Sequence, residues 1–302
     1  MSTMSFEISL KDRTLFERII RISKEKPLMP ETFVPWHTEF VDGNIYLPES
    51  IVSLAGLPIY ESLTPWQKQE LGRHEVVQAM YSYCWSEGLF CVFMNRFILN
   101  RNPDDIERQF LIRELIEEFR HQEMFAQTID TLKGQPIKIS KAQRNTAGFV
   151  AKFMPDSILF LMCLAVEMMA DQYGELLRKN ENTFPVLRKV SQLHNIEEAR
   201  HILYTEAVLK RYTQNIGFMR RSYYSLLILG NLRFFQNVYV RSEIYERIGL
   251  KNPKQIRKQA FGNYQQKFAD ECLGSIKELV ESFNGFNAIT RPIWRWVLKV
   301  KI

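Results

Sequence analysis

The chain has 302 residues, 46% of them hydrophobic and 25% charged, with 13 Gly, 12 Pro and a formal net charge of +6. That ordinary globular composition excludes a disordered, collagenous or low-complexity protein, and the length suffices for one large helical domain or two smaller ones. The basic residues are dispersed and form no nucleic-acid motif, so the charge suits an acidic substrate or an acidic carrier protein without requiring either.

Residues 1–63 read as an irregular N-terminal wrap, with a short helix over 15–22 and extended, Pro-containing chain over 27–60. The opening MSTMSFEISLKDR lacks the charged, apolar and cleavage regions of a secretory signal. The nearest approach to a membrane span, 223–230, is far too short to cross a bilayer. A cytoplasmic enzyme without a transmembrane segment is the expectation. Cys84, Cys91, Cys163 and Cys272 have no Cys-x-x-Cys spacing and stand among apolar neighbours, as reduced core thiols do.

Thr64-Pro65-Trp66-Gln67 has the form of a helix start, with Thr as cap, Pro at the first helical position and Gln three residues after the cap. The helix it opens reaches about residue 99, with Val76, Met80, Tyr83, Glu87, Phe90 and Met94 on the core stripe. A second helix, from 102–104 to about 132, turns Leu111, Leu115, Glu118, His121 and Phe125 inward, and Gly134 and Pro136 end it. After a linker over 134–153 with a possible short helix, a third runs over 156–178 with Phe160, Cys163, Glu167 and Ala170 on one face. A fourth spans about 183–212. Residues 64–213 therefore predict an all-α four-helix bundle. Residues 214–302 add two further long helices over 217–249 and 253–283, and one domain holds all three parts. The basic, aromatic tail 291–302 could suit a membrane surface or a partner, but packing on the bundle with Lys outward is the preferred reading.

The acids and imidazoles on those core stripes are Glu87, Glu118-x-x-His121, Glu167 and Glu198-x-x-His201. Glu-x-x-His sets a carboxylate and an imidazole one turn apart on one helix face. A single core Glu is more often a salt-bridged structural acid, but a repeated set of buried acids and imidazoles asks for a shared ion. One Glu from each of two helices, and a Glu-x-x-His from each of the other two, is the pattern of ferritin-like di-iron and di-manganese bundles. Carboxylates with imidazoles and no thiolate favour two iron ions, or manganese as substitute, over structural zinc.

In the expected arrangement Glu118 and Glu198 bridge the ions, Glu87 and Glu167 are terminal ligands, and His121 and His201 give one nitrogen to each ion. His194, four residues before Glu198 and seven before His201, is an extra ligand or a hydrogen-bonding neighbour. Glu117 and Glu197 lie about 100° around the helix from their neighbours and are expected to be salt-bridged or solvated. His74 and Glu75 stand roughly 18–20 Å of helix from Glu87 and cannot share its site.

Three stretches resemble the p-aminobenzoate N-oxygenase family, the AurF-type non-haem di-iron oxygenases. They are PESIVSLAGLPIYESLTPWQKQELGRHE (48–75), EEFRHQEMFAQTI (117–129) and LHNIEEARHILY (193–204). The resemblance covers about residues 30–245, and His194 resembles the family's seventh ligand. It implies iron ligation by Glu87, Glu118, His121, Glu167, His194, Glu198 and His201, a homodimer, an external electron donor, and O2-dependent oxidation of an arylamine towards hydroxylamine and nitro products. Tyr83, Phe90, Phe125, Cys163 and Met168, one turn from the ligands, could line a substrate cavity, though plain core is the commoner fate of such stripes. Two rivals stand beside this reading: C–H hydroxylation or desaturation of a small or carrier-tethered substrate at the same cofactor, and a ferroxidase or iron-binding bundle. A metal-free interaction protein is a third, against which the complete set of seven argues.

Overall fold

The computed structural model describes residues 8–299. It opens with α1 (Leu10–Glu25), longer than the sequence suggests because Ser9 caps it, its side chain accepting from the Asp12 amide. The apolar face of α1 buries Phe16, Ile19 and Ile20, and Phe16 stands 4.9 Å, ring to ring, from Tyr204. The one-turn helices α2 (Pro30–Phe33) and α3 (Pro58–Glu61) punctuate the extended wrap. The wrap is held to a distant loop by an isolated parallel bridge. Ile45 N–H donates to Asn182 O at 2.8 Å, and Phe184 N–H donates to Ile45 O at 2.9 Å.

The long helices then follow in order. α4 (Pro65–Leu99) begins in the expected reciprocal capping box of Thr64 and Gln67, and α5 (Ile106–Thr131) is capped by Asp105. α6 (Lys141–Phe153) has its own capping box, Ser140 with Gln143, and lies against α4. α7 (Asp156–Lys179) and α8 (Pro185–Thr213) complete the four. Short connections make α4/α5 and α7/α8 antiparallel hairpins, and the hairpins face each other through α5 with α8 and α4 with α7. The result is an all-α, ferritin-like bundle. By length and composition α7 could cross a membrane, yet 83% of its apolar window is buried in the protein, where it forms a central wall.

Beyond the bundle, each of the two expected long helices is divided. The first is α9 (Phe218–Tyr239) and α10 (Ser242–Arg247), parted where Val240 and Arg241 are extended and Arg257 Nε–H donates to Val240 O at 2.9 Å. The second is α11 (Pro253–Glu271) and α12 (Gly274–Ser282), parted at Cys272 and Leu273, both fully buried. In α13 (Thr290–Leu298) Trp294 is buried and its indole N–H donates to Ser225 Oγ at 2.9 Å, so this part of the tail packs on the bundle. Residues 300–302 of the tail lie outside the described residues. One hydrophobic cluster runs through these elements from Phe16 to Leu298.

Candidate metal centre

The seven predicted residues come from four helices: Glu87 from α4, Glu118 and His121 from α5, Glu167 from α7, and His194, Glu198 and His201 from α8. All are buried, none more than 5% exposed. The structure brings them together. Glu198 Oε1 lies 3.4 Å from His121 Nδ1, 3.4 Å from His194 Nε2 and 3.3 Å from His201 Nδ1, which makes it the hub. Glu87 Oε1 stands 3.1 Å from His194 Nε2, and Glu118 Oε1 stands 3.3 Å from His201 Nδ1. Donor atoms of Glu87, His121, His194 and Glu198 converge as one group, and those of Glu118, Glu167 and Glu198 as another. Donors about 2.0–2.2 Å from an ion stand about 3 Å from one another, close to these separations.

The orientation of the two Glu-x-x-His imidazoles is set by residues just outside the cluster. His121 Nε2 lies 2.9 Å from Glu197 Oε2, and His201 Nε2 lies 2.9 Å from Glu117 Oε2. Because a carboxylate only accepts, each Nε2 carries the proton and each Nδ1 presents its lone pair to the cluster. Arginines complete the exchange: Arg120 reaches Glu197 at 3.1 Å and Arg200 reaches Glu117 at 2.9 Å. The Glu-Glu-x-Arg-His of α5 and that of α8 are thus crossed, each helix fixing the histidine of the other. Ser23 of α1 also donates to Glu117, so the first helix closes the back of the site. Glu117 and Glu197 are 1% and 0% exposed, which corrects the solvated alternative. Their salt bridges form, as expected of them, but serve the imidazoles as well.

Burial pushes the carboxyls of Glu87, Glu114, Glu118 and Glu167 above the usual carboxylate range, and neighbouring carboxylates push them further. Burial would raise Glu198 too, but the surrounding imidazoles hold it at about 2. His194 is lowered to about 3 by burial, whereas His121 and His201 are raised by the acids around them despite burial. Glu117 is held below the usual range, the hydrogen bond from His201 and the charge of Arg200 overcoming its burial. Among the described residues, both oxygens of Glu118 and of Glu167, and Nδ1 of His121 and of His201, make no hydrogen bond. Buried acceptors left without partners are costly, and cations would satisfy them. The donor set therefore fits a pair of hard metal ions.

Sequence reasoning missed Glu114. It is 1% exposed, one turn before Glu118, and its donor atoms group with those of Glu118 and His201. Its signal was the i−4 spacing from Glu118 on the stripe that continues to His121, masked by the many other acids of α5. His74 and Glu75 stay apart from the centre as expected. Glu75 accepts from Ser53 N–H at 3.0 Å and from the Ser53 hydroxyl, which also touches Tyr245.

Beside the donors lies a cavity of about 480 Å³, walled by α4, α6, α7 and α9. Ser86, Phe90 and Val166 line both this cavity and the small pocket formed by Glu87, Glu118, Glu167, His194 and Glu198. Of the side chains that could have lined a cavity, Phe90 and Cys163 do so. Tyr83 borders the small pocket, Phe125 packs edge-on against His194 at 5.0 Å, and Met168 is core.

The chain is 21% identical over 196 residues to the uncharacterized proteins Mb0909 of Mycobacterium bovis and Rv0885 of Mycobacterium tuberculosis. The match covers 63% of this chain and spans 57% of the length of each relative. A far longer match, over residues 10–284, is to the profile of P-aminobenzoate N-oxygenase AurF. With the whole bundle and its carboxylate–histidine cluster inside that match, the chain belongs to the p-aminobenzoate N-oxygenase AurF family.

Proposed function

We propose that the protein is a non-haem di-iron oxygenase that uses O2 to oxidise an amine nitrogen, by family an arylamine, towards hydroxylamine and nitro products. Glu87, Glu118, His121, Glu167, His194, Glu198 and His201 would hold the two ions in this reading. Bound iron supplies redox chemistry with O2 that the side chains alone lack. The observation that carries the proposal is the shared wall of Ser86, Phe90 and Val166, which sets an apolar chamber directly against the donor cluster. An iron-storage bundle needs the cluster but not the chamber.

The chain's own residues have defined tasks. Glu117 and Glu197 keep the Nε2 protons of His201 and His121, so that Nδ1 is free to bind. Phe90 and Phe125 exclude water from the donors, and the chamber orients the substrate along its length. Conversion of an amine to a hydroxylamine with release of water takes two electrons and two protons from an external donor. A homodimer and a cytoplasmic setting belong to the same proposal.

Anaerobic reconstitution with ferrous iron, followed by O2 and a panel of arylamines, tests it. The expected result is two irons per chain and amine-dependent formation of nitrogen-oxidised product. Iron oxidation indifferent to every amine would establish the ferroxidase instead, and oxygenation at carbon would establish the hydroxylase.

A further inference from the structure

The chamber has two unlike ends. Its inner end, at Ser86, Phe90 and Val166, touches the donor cluster, and its wall carries no charged side chain. The amide of Asn231 is already engaged, donating to Met162 O at 3.1 Å. At the outer end, Gln143 and Phe234 are shared with a second cleft of about 590 Å³. That cleft is basic: Arg241, Lys254, Arg257 and Lys258 line it, against a single acid, Glu243. Glu243 is taken by Arg241 at 2.9 Å, and Arg257 donates to Asn237 Oδ1 and Val240 O, each at 2.9 Å. Lys254 and Lys258, one turn apart at the start of α11, are exposed and make no ion pair among the described residues.

From this polarity, and resting on the oxygenase reading above, we infer that the substrate is an amphiphile, with its amine at the inner end, an extended apolar body in the chamber and an anionic head group on the Arg241–Lys254–Lys258 cleft. A short carboxylated ring whose reactive end reached the donors would leave its own carboxylate among Leu, Phe and Ala. Burying an unpaired charge there costs several kcal/mol. An anion at the far end of a longer body meets cations in a wet, half-open cleft, where the interaction is favourable and salt-dependent. The head group can be a free carboxylate or the phosphate of an acyl thioester. Both satisfy the same chemistry.

Binding to the iron-reconstituted full chain, measured by calorimetry, decides the matter with three probes: dodecanoate, dodecanoyl-coenzyme A and dodecanol. Both anions are expected to bind about tenfold more tightly than the alcohol at low salt, and the gap to close near 1 M salt. Lys254→Glu with Lys258→Glu, on the surface and remote from the donors, should erase the gap while sparing the alcohol. Gly230→Leu should weaken all three. That glycine lines the chamber mouth in α9 with no atom within 4 Å of an added Cβ, so the larger residue plugs the opening without straining the helix. A tighter thioester assigns a phosphate head group and a tighter dodecanoate a free carboxylate, and either ranking supports the inference. Dodecanol binding as well as the anions, or affinities indifferent to charge reversal or to Gly230→Leu, would overturn it. Iron stoichiometry, measured on the same samples, reports separately on the oxygenase reading.

Discussion

His121 and His201 each have a useful nitrogen chosen for them by a carboxylate on the opposite helix. Glu197→Gln and Glu117→Gln should therefore have matching effects: retention of the helical fold, with iron affinity lowered about 10–100-fold in each, measured by competition with a chromophoric chelator. If only one of them weakened binding, the two histidines would not be equivalent. Glu114 belongs to the same scale. In the proposed centre two divalent ions would balance the carboxylates of Glu87, Glu118, Glu167 and Glu198, so a fifth beside His201 and Glu118, ionised once the ions are bound, would favour the more highly charged, oxidised ions. Glu114→Gln is expected to raise the reduction potential of the iron pair, read by redox titration, with stoichiometry unchanged. The Glu-x-x-His residues were legible in sequence because an acid on a stripe of Leu and Phe is buried with that stripe and must find a cation there. Glu114 was not, since α5 also carries Glu107, Glu117 and Glu123, and only packing shows which of them turn inward. The bonds of Glu117 and Glu197 were equally hidden, because their histidine partners lie more than seventy residues away.

At the scale of elements, α7 and α8 are in close contact at Gly174. A Cβ there would overlap Asn195 Oδ1, whose amide Nδ2–H donates to Asp171 O at 3.0 Å. Gly174→Ala should force that hydrogen bond apart and shift the turn carrying His194, destabilising the protein by about 1–3 kcal/mol in urea unfolding despite the better helix propensity of Ala. A gain in stability would show that Asn195 rotates away freely. The four bundle helices were readable because caps, periodicity and breakers agree at their ends, as at Thr64-Pro65-Trp66-Gln67. The interruption between α9 and α10 has no Gly or Pro to announce it. It arises from Arg257 taking the Val240 carbonyl, a contact between segments that no local pattern contains.

For the molecule as a whole, stability should depend on pH through a group far from the metal centre. Burial raises the Glu75 carboxyl to about 7, against hydrogen bonds from Ser53 that lower it. A carboxyl raised on folding holds its proton more tightly in the native state, so its neutral form stabilises the fold at acidic pH. That contribution declines as pH rises from the unfolded value near 4.5 through about 7. The loss amounts to about 3 kcal/mol by pH 8, and it should be absent from urea titrations of Glu75→Gln. An unchanged pH profile in that variant would assign the effect elsewhere.

The crossing of α5 and α8 also governs when the protein can capture a metal. During synthesis the first hairpin leaves the ribosome with His121 lacking the acid that selects its tautomer, and the second arrives with His201 dependent on the first. Neither nascent hairpin holds both halves of the exchange, so in the proposed di-iron reading the site is complete only once α8 has been made. A fragment ending at residue 180 should accordingly bind ferrous iron at least about a hundredfold more weakly than the full protein.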